Sequence, residues 1–117
     1  MMTDSGNKGE AAAAKFLKAK GYKILAKNFR KTYGEIDIIA QKGENIAFVE
    51  VKTRKSDAFG TPAEFVTVKK QKRIIKAAYT YVQEKDLDAE FTFDIVEVYL
   101  DGRKIKEINH IKNAFYI

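Results

Sequence analysis

The segment GEIDIIAQKGENIAFVEVKTR, residues 34–54, constrains the fold more than any other part of the chain. Apolar residues fill both faces of what reads as a hairpin. Strands are expected over about Glu35–Gln41 and Ile46–Thr53, with Lys42-Gly43-Glu44-Asn45 as the turn. Gly at the first central position suits a type II′ or I′ turn, because either form needs a positive φ there. A turn centred on Gly43-Glu44 pairs residues whose numbers sum to 87, so Asp37 faces Glu50 and Glu35 faces Lys52. Side chains alternate along a strand, which puts all four on one face together with Ile39, Ile46 and Phe48. Ala47, Val49 and Val51 fill the other face as plain core.

Directly opposed Cβ atoms stand ~5 Å apart, and two carboxylates that close repel unless a positive charge lies between them. A divalent cation meets that need. Mg²⁺ takes oxygen ligands in octahedral array, commonly one or two carboxylates with waters and a substrate phosphate. Lys52, two residues beyond Glu50 on the same face, can hold an attacking water or stabilise charge growing on a phosphate. A plainer reading has the same spacing: a half-exposed hairpin whose Glu35 and Lys52 form an ordinary cross-strand ion pair. Both stand on spacing alone, and both depend on register, since a one-residue slip sends Asp37 to the other face.

The rest of the chain reads as helices and further strands around this hairpin. A first helix is expected from about Ser5 to Lys20, with Thr3, Asp4 or Ser5 as cap, Gly21 as stop, and an apolar stripe of Ala13, Phe16 and Leu17 extended by Ala12 and Ala19. A strand is expected over Tyr22–Phe29, followed by a basic aromatic turn at Asn28–Tyr33. Arg54–Pro62, holding Gly, Ser, Asp and the one proline, reads as a mobile loop. A second helix runs over Val68–Lys85 with Thr67 as cap and Val68, Ile75, Ala78 and Val82 as its buried stripe. A strand follows at Glu90–Leu100, then a turn at Asp101-Gly102, a short strand near Lys104–Ile108, and a tail from His110 to Ile117 that packs back. The order α-β-β-β-α-β-β makes an α/β or α+β sandwich around a mixed sheet. With 117 residues, 45% of them hydrophobic, one domain with a real core is expected over 1–117.

The absence of cysteine excludes a disulfide frame and thiolate metal sites, and fits a reducing cytoplasm. No apolar run approaches the ~20 residues of a membrane span, and the start MMTDSGNKGEAAAAKF lacks the apolar core of a signal peptide. A net charge of +6 is a mild pointer to phosphate-rich partners.

An acid in the first helix, then GEIDIIA, then FVEVKTR resembles the PD-(D/E)XK nuclease superfamily. More closely, the chain is similar to the small bacterial YraN-like proteins, related in fold to archaeal Holliday-junction resolvases. The likeness covers nearly the whole chain: G-x-x-G-E-x-x-A at Gly6–Ala13, G-Y-x-I-L-x-x-N-F-R at Gly21–Arg30, F-G-x-P-x-E-x-V-T at Phe59–Thr67 and K-x-Q-K-R-I at Lys69–Ile74. It implies a restriction-endonuclease-like, resolvase-type α/β fold with a five-stranded mixed sheet. It also implies a metal-dependent endonuclease acting on DNA phosphodiesters, with branched or junction DNA among its substrates. Asp37 then matches the first-motif aspartate, Glu50 and Lys52 the acid and lysine of E-x-K, and Glu10 the helix-one glutamate that completes a Mg²⁺ or Mn²⁺ site. Ile36 stands where the pattern has proline. A homodimer is implied too, because resolvase relatives make matched cuts with two sites. The competing reading is a nucleic-acid-binding module that kept the fold without catalysis.

Other residues are candidates for supporting roles. Arg54 and Lys55 stand just past the motif, where they can clamp a nucleic-acid backbone. Lys69 and Arg73 share a side of the second helix with Lys76; phosphate contact competes there with a plain solvated face. Gln71, on the expected buried stripe, either orients a water or ligand or bonds a strand carbonyl. Glu35 is a second acid near the metal or, preferably, the partner of Lys52. Tyr22, Phe29 and Tyr33 are better suited to core packing than to base stacking. His110, the single histidine, is given no role.

Overall fold

The computed structural model describes residues 4–55 and 66–116. The expectations placed on the caps at Thr3, Asp4 and Ser5, on the loop Ser56–Pro62 and on most of the Phe59–Thr67 motif lie outside the described residues or side chains. The elements are α1 (Asp4–Ala19), β1 (Lys23–Lys31), β2 (Gly34–Lys42), β3 (Asn45–Lys55), α2 (Val68–Lys85), β4 (Glu90–Asp101) and β5 (Lys104–Phe115). This is the expected order, and the strands form one five-stranded sheet in the order β1-β2-β3-β4-β5. All neighbours are antiparallel except β3 and β4, which run parallel because α2 returns the chain between them. No helix among the described residues is long and apolar enough to cross a membrane.

Two apolar clusters cover the two faces. On one face, Ala12, Ala13, Ala14 and Leu17 of α1 pack on Ile38, Ala40, Ala47, Val49, Val96 and Val98. The small alanines bring α1 close to the sheet, and Gly9 is so near that an added Cβ would meet the side chain of Thr53. On the other face, Ile74, Ala77, Ala78 and Tyr81 of α2 pack on Ile36, Ile39, Ile46, Phe48, Phe93 and Ile95. Phe48 fills the centre of that layer, stacked with Phe93 at 5.6 Å and edge-on to Tyr81 at 6.3 Å.

Helix ends follow local chemistry. Gly21, at φ 93°, closes α1, with the Tyr22 N–H bonded to the Leu17 carbonyl at 3.0 Å. Thr67 caps α2 as expected, its hydroxyl accepting the Lys70 N–H at 3.2 Å. The β2–β3 hairpin keeps the expected register from Lys42↔Asn45 to Ile38↔Val49. Gly43 has φ 60° while Glu44 is not among the positive-φ residues, the II′ pattern.

Four expectations are corrected. β1 runs on to Lys31, so only Thr32 and Tyr33 turn, and the basic aromatic patch is mostly strand. β3 runs on to Lys55, paired with β4 throughout, which takes Arg54 and Lys55 out of the loop. β5 is a 12-residue edge strand rather than a short one. Its exposed, lysine-rich sequence hides the alternation, and Asn113 at φ 51° breaks it near the end. Its last residue, Phe115, is buried and stacks on Phe93 at 5.1 Å, so the tail packs back as a strand end. Finally, the buried line of α2 is Ile74, Ala77, Ala78 and Tyr81, while Val68 is 64% exposed. Tyr81 reaches Phe29 and Phe48, which turns the helix about one residue from the Val68–Ile75–Val82 line.

Gly34, first residue of the GEID motif, sets the height of α2. A Cβ there would land on the carbonyl of Arg73, 2.9 Å from its carbon, and a backbone atom cannot swing aside. Gly34→Ala is expected to cost about 1–3 kcal/mol by overpacking. Denaturant unfolding checks this; an unchanged midpoint would show that α2 is not seated on Gly34.

Candidate functional site

The sheet opens where the two acids meet. The ladder of β2 and β3 stops at Ile38↔Val49, and the Val51 N–H is instead taken by the Asp37 side chain, Oδ2 at 2.8 Å. Alternation slips at the same point: Ile38 belongs to the α1-side cluster, whereas Ile36, two residues earlier, belongs to the α2-side cluster. Across the sheet on β1, the residue facing Asp37 is Asn28, at φ 51° between the pairs Lys27↔Ile38 and Phe29↔Ile36. Its buried Oδ1 has no hydrogen-bond partner.

The result is a cleft of about 480 Å³ lined by Gly34, Glu35, Asp37 and Glu50 from the hairpin and by Thr67, Lys69, Lys70, Arg73 and Ile74 from the start of α2. Asp37 and Glu50 are brought together as the hairpin spacing requires. Burial pushes the Asp37 carboxyl up to about 7; the charge of Glu50 adds to the shift, the Val51 hydrogen bond opposes it, and Glu10 and Glu35 contribute further. Glu50 is 8% exposed, and its Oε1 meets the Lys70 ammonium at 2.9 Å. Burial pulls the Lys70 ammonium down. The hydrogen bond and charge of Glu50, with the charge of Asp37 beyond, outweigh it and leave the group above its ordinary value.

The remaining expected residues divide. Lys52 is half-buried on β3 and reaches the same ammonium. Glu10 on α1 is partly buried, and its carboxyl is raised by burial, then by Glu35 and Glu50, against the pull of Arg30 and Lys27. It feels the site without lining the cleft, and among the described residues no group of three or more acids or histidines is set to hold a metal ion. Lys69 and Arg73 line the cleft, with Arg73 also tied by Nε to the Tyr33 carbonyl at 2.9 Å.

The structure gives the other candidates plainer places. Glu35 pairs with Arg30, its neighbour on β1, at 3.4 Å; the β2–β3 ladder has already ended before it draws level with Lys52. Gln71 sits outside the cleft and donates to the Val66 carbonyl at 2.9 Å, bracing the entry to α2. Arg54 is held at 2.9 Å by Glu97, which is 2% exposed and also accepts from Asn109 at 3.0 Å, so it braces the sheet rather than waiting for a backbone. Lys55 is exposed at the end of β3, outside the cleft lining. Tyr22 is buried and Phe29 packs edge-on to Tyr81, as core packing requires.

Two features went unread in the sequence. Lys70 stands four residues before Ile74, on the continuation of the buried line of α2, from which a long side chain can reach the sheet face. His110 is not idle: it bonds Asp94, itself 1% exposed, at 2.8 Å, while the Asn113 N–H takes the other Asp94 oxygen at 3.1 Å. This pair lies on the α1 side with Phe16 and Tyr22, away from the cleft, and fastens β5 to β4.

Fold and site together define an α/β protein in which a buried and a half-buried carboxylate, Glu50 and Asp37, share a cleft with the basic start of a helix. The chain matches the model of the family described as uncharacterised protein family UPF0102 over residues 9–98, and it belongs to that family, the YraN-like group. UPF0102 proteins similar to it include one from Caldicellulosiruptor saccharolyticus, 49% identical over 94% of this chain and 95% of that one. Another, from Clostridium perfringens, is 51% identical over 93% of this chain and 91% of that one. A third, from Syntrophomonas wolfei, is 47% identical over 98% of this chain and all of that one.

Two outcomes follow from these charges. Unfolded Asp37 ionises near 3.8 but folded Asp37 near 7, so ionising it in the fold costs stability progressively between those pH values and by a constant amount above them. Asp37→Asn, which keeps an acceptor for Val51, should therefore be more stable than wild type by roughly 2–4 kcal/mol at pH 8 in chelator, with the gain gone below pH ~4. Urea unfolding across that range checks it; a gain that does not vary with pH refutes the charge argument. His110→Ala, which strands a buried carboxylate, should cost about 3 kcal/mol or more at neutral pH.

Proposed function

We propose that this chain is a divalent-metal-dependent endonuclease with a restriction-endonuclease-like fold, hydrolysing phosphodiester bonds of DNA. One observation carries the reading: Asp37 and Glu50 line one cleft, burial and then the charge of Glu50 push Asp37 up to about 7, and the compensating charge on Glu50 is a lysine from the helix overhead. A fold seeking stability alone would not bury two acids side by side.

The donor set fits Mg²⁺ or Mn²⁺. Hard carboxylate oxygens suit these ions, and Mg²⁺ is commonly held by one or two carboxylates, with waters and phosphate completing the shell. Asp37 and Glu50 would hold it, with Glu10 near enough in charge to add a water-bridged contact. Bound there, the ion would supply an activated water and neutralise charge on the phosphate. The protein's own groups do the rest. Lys52, on the same strand face as Glu50, positions the water or the phosphate. Lys70, now paired with Glu50, would be the cation best placed to exchange that carboxylate for a phosphate, beside Lys69 and Arg73 on the cleft wall.

The helix terminus supports this division. The first turn of α2 carries no acid and begins Val68-Lys69-Lys70. Cations at the positive end of a helix dipole are unfavourable, by a few tenths to ~1 kcal/mol each. Their placement over two acids fits a site built for phosphate. A non-catalytic binding module explains the lysines equally well but not the strained carboxylate pair.

A cleavage panel decides between them. Linear, single-stranded, flap and four-way-junction DNA are incubated with Mg²⁺ or Mn²⁺ and with wild type, Asp37→Asn, Glu50→Gln and Lys52→Ala. Cutting by wild type and a loss of at least a hundredfold in each variant are expected. Binding without cutting on every substrate leaves the module reading; variants that cut like wild type place the activity elsewhere.

A further inference from the structure

α2 has two flanks. One overhangs the cleft with Lys69, Lys70 and Arg73. The other carries Val68, Lys72, Ile75 and Tyr79, a line at helical spacing beside the end of β5, of which Ile75 also packs against the core. Between this line and Tyr116 lies a groove of about 440 Å³ whose walls are almost wholly apolar. Val68, Tyr79 and Tyr116 are 64%, 53% and 75% exposed. Two half-bare tyrosine rings and a valine on one surface are not accounted for by packing. Scattered apolar side chains are ordinary, whereas a contiguous set marks a contact surface.

We propose that this groove captures unpaired nucleobases, so that the chain engages single-stranded segments across α2, with bases on the Tyr79–Tyr116 flank and phosphates on the lysine side. The inference rests on the nucleic-acid reading above and adds what kind of strand is bound. Charge selects the occupant. The polar rim is Lys72, Lys76 and Gln71, with no acid among the described lining residues. Lys76 lies 4.8 Å from the Tyr33 ring centroid, between the groove and the cleft side where Arg73 meets Tyr33. A basic ridge therefore joins groove and cleft along one helix. From Val68 to Tyr79 the groove runs ~16 Å at the α-helical rise. Aromatic faces next to a backbone-tracking basic strip are the usual means of holding single strands, because every base has a face to stack and bases inside a duplex hide theirs against their neighbours. A second copy of this chain would bring its own +6 charge onto the same lysines.

The test measures equilibrium binding of fluorescent oligonucleotides in EDTA, where nothing is cut. The probes are a single-stranded oligodeoxynucleotide, the same sequence as oligoribonucleotide, and the blunt duplex. Tyr79→Ala and Tyr116→Ala, both at exposed positions, should each weaken single-strand binding by roughly five- to a hundredfold and duplex binding by less than about twofold. Tyr79→Phe should retain wild-type affinity. Lys72→Ala should weaken all probes and flatten the dependence of log K on log salt by about one. The deoxy and ribo probes should respond alike to the tyrosine changes. The proposal is overturned if wild type does not bind single strands, or if the tyrosine variants weaken all probes alike or none. It is also overturned if Tyr79→Ala leaves single-strand binding intact while abolishing a dimer seen in sedimentation. The same proteins are then given Mg²⁺ and the same strands. No cutting by wild type, with the tyrosine effect on binding present, removes the nuclease reading alone. Cutting without a tyrosine effect removes the groove alone.

Discussion

The site depends on one break in hydrogen bonding. Where β2 and β3 would continue as a ladder past Ile38 and Val49, the Asp37 carboxylate takes the Val51 N–H instead. A side chain has replaced a backbone carbonyl, so the strands part without leaving that buried donor unsatisfied. Had the ladder continued, Asp37 and Glu50 would stand as a direct cross-strand pair with no room between them. The parting makes the cleft, and the left-handed Asn28 on β1 lets the neighbouring strand follow the distortion. Asn is among the few residues that adopt this conformation at modest cost.

Given the break, the position of α2 is over-determined. Gly34 lets the Arg73 backbone come down onto the start of β2, Thr67 fixes where the helix begins, and Gln71 ties that beginning to Val66. Tyr81, wedged between Phe29 and Phe48, sets the helix rotation. With height, start and rotation fixed, Lys70 has one direction to take, down the buried line to Glu50. The glycine that opens the acidic motif and the threonine that opens the helix thus serve the same ion pair from different ends of the chain.

This explains what the sequence could and could not show. The hairpin was legible because its register follows from one turn glycine and from apolar residues on both faces; Ile39, Ile46 and Phe48 fall on the site face as expected. The strand break was not, since alternation predicts a continuous ladder and gives no sign that a side chain will substitute for it. Hence the pairing of Asp37 with Glu50 was readable, while the extrapolation to Glu35 and Lys52 failed. β5 was hidden for the opposite reason: an edge strand with one wet face carries lysines that protect it from pairing with other chains, and these read as loop. Arg54 and His110 show a third limit. Each is bound to a buried acid on β4, Glu97 and Asp94, and such pairs form across strands that sequence distance does not connect.

The two faces of the sheet therefore differ in kind. On the α1 side the buried acid has its answer within the fold: Asp94 is bonded by His110 and by the Asn113 amide, and alanines close the layer down to contact. On the α2 side Glu97 is answered by Arg54 and Asn109, but Asp37 receives one backbone N–H and a neighbouring acid. Asp37 is less buried than Asp94 or Glu97, so burial alone does not distinguish it. What distinguishes it is that Lys70, whose charge it feels, is paired with Glu50 by a long side chain at the start of α2. A rigid frame holding one uncompensated carboxyl beside one exchangeable ion pair gains most from a ligand that brings two positive charges to the acids and offers the released ammonium an anion. On the reading proposed above, a divalent cation bound with a phosphate would have both properties, which neither a lone cation nor a lone phosphate has.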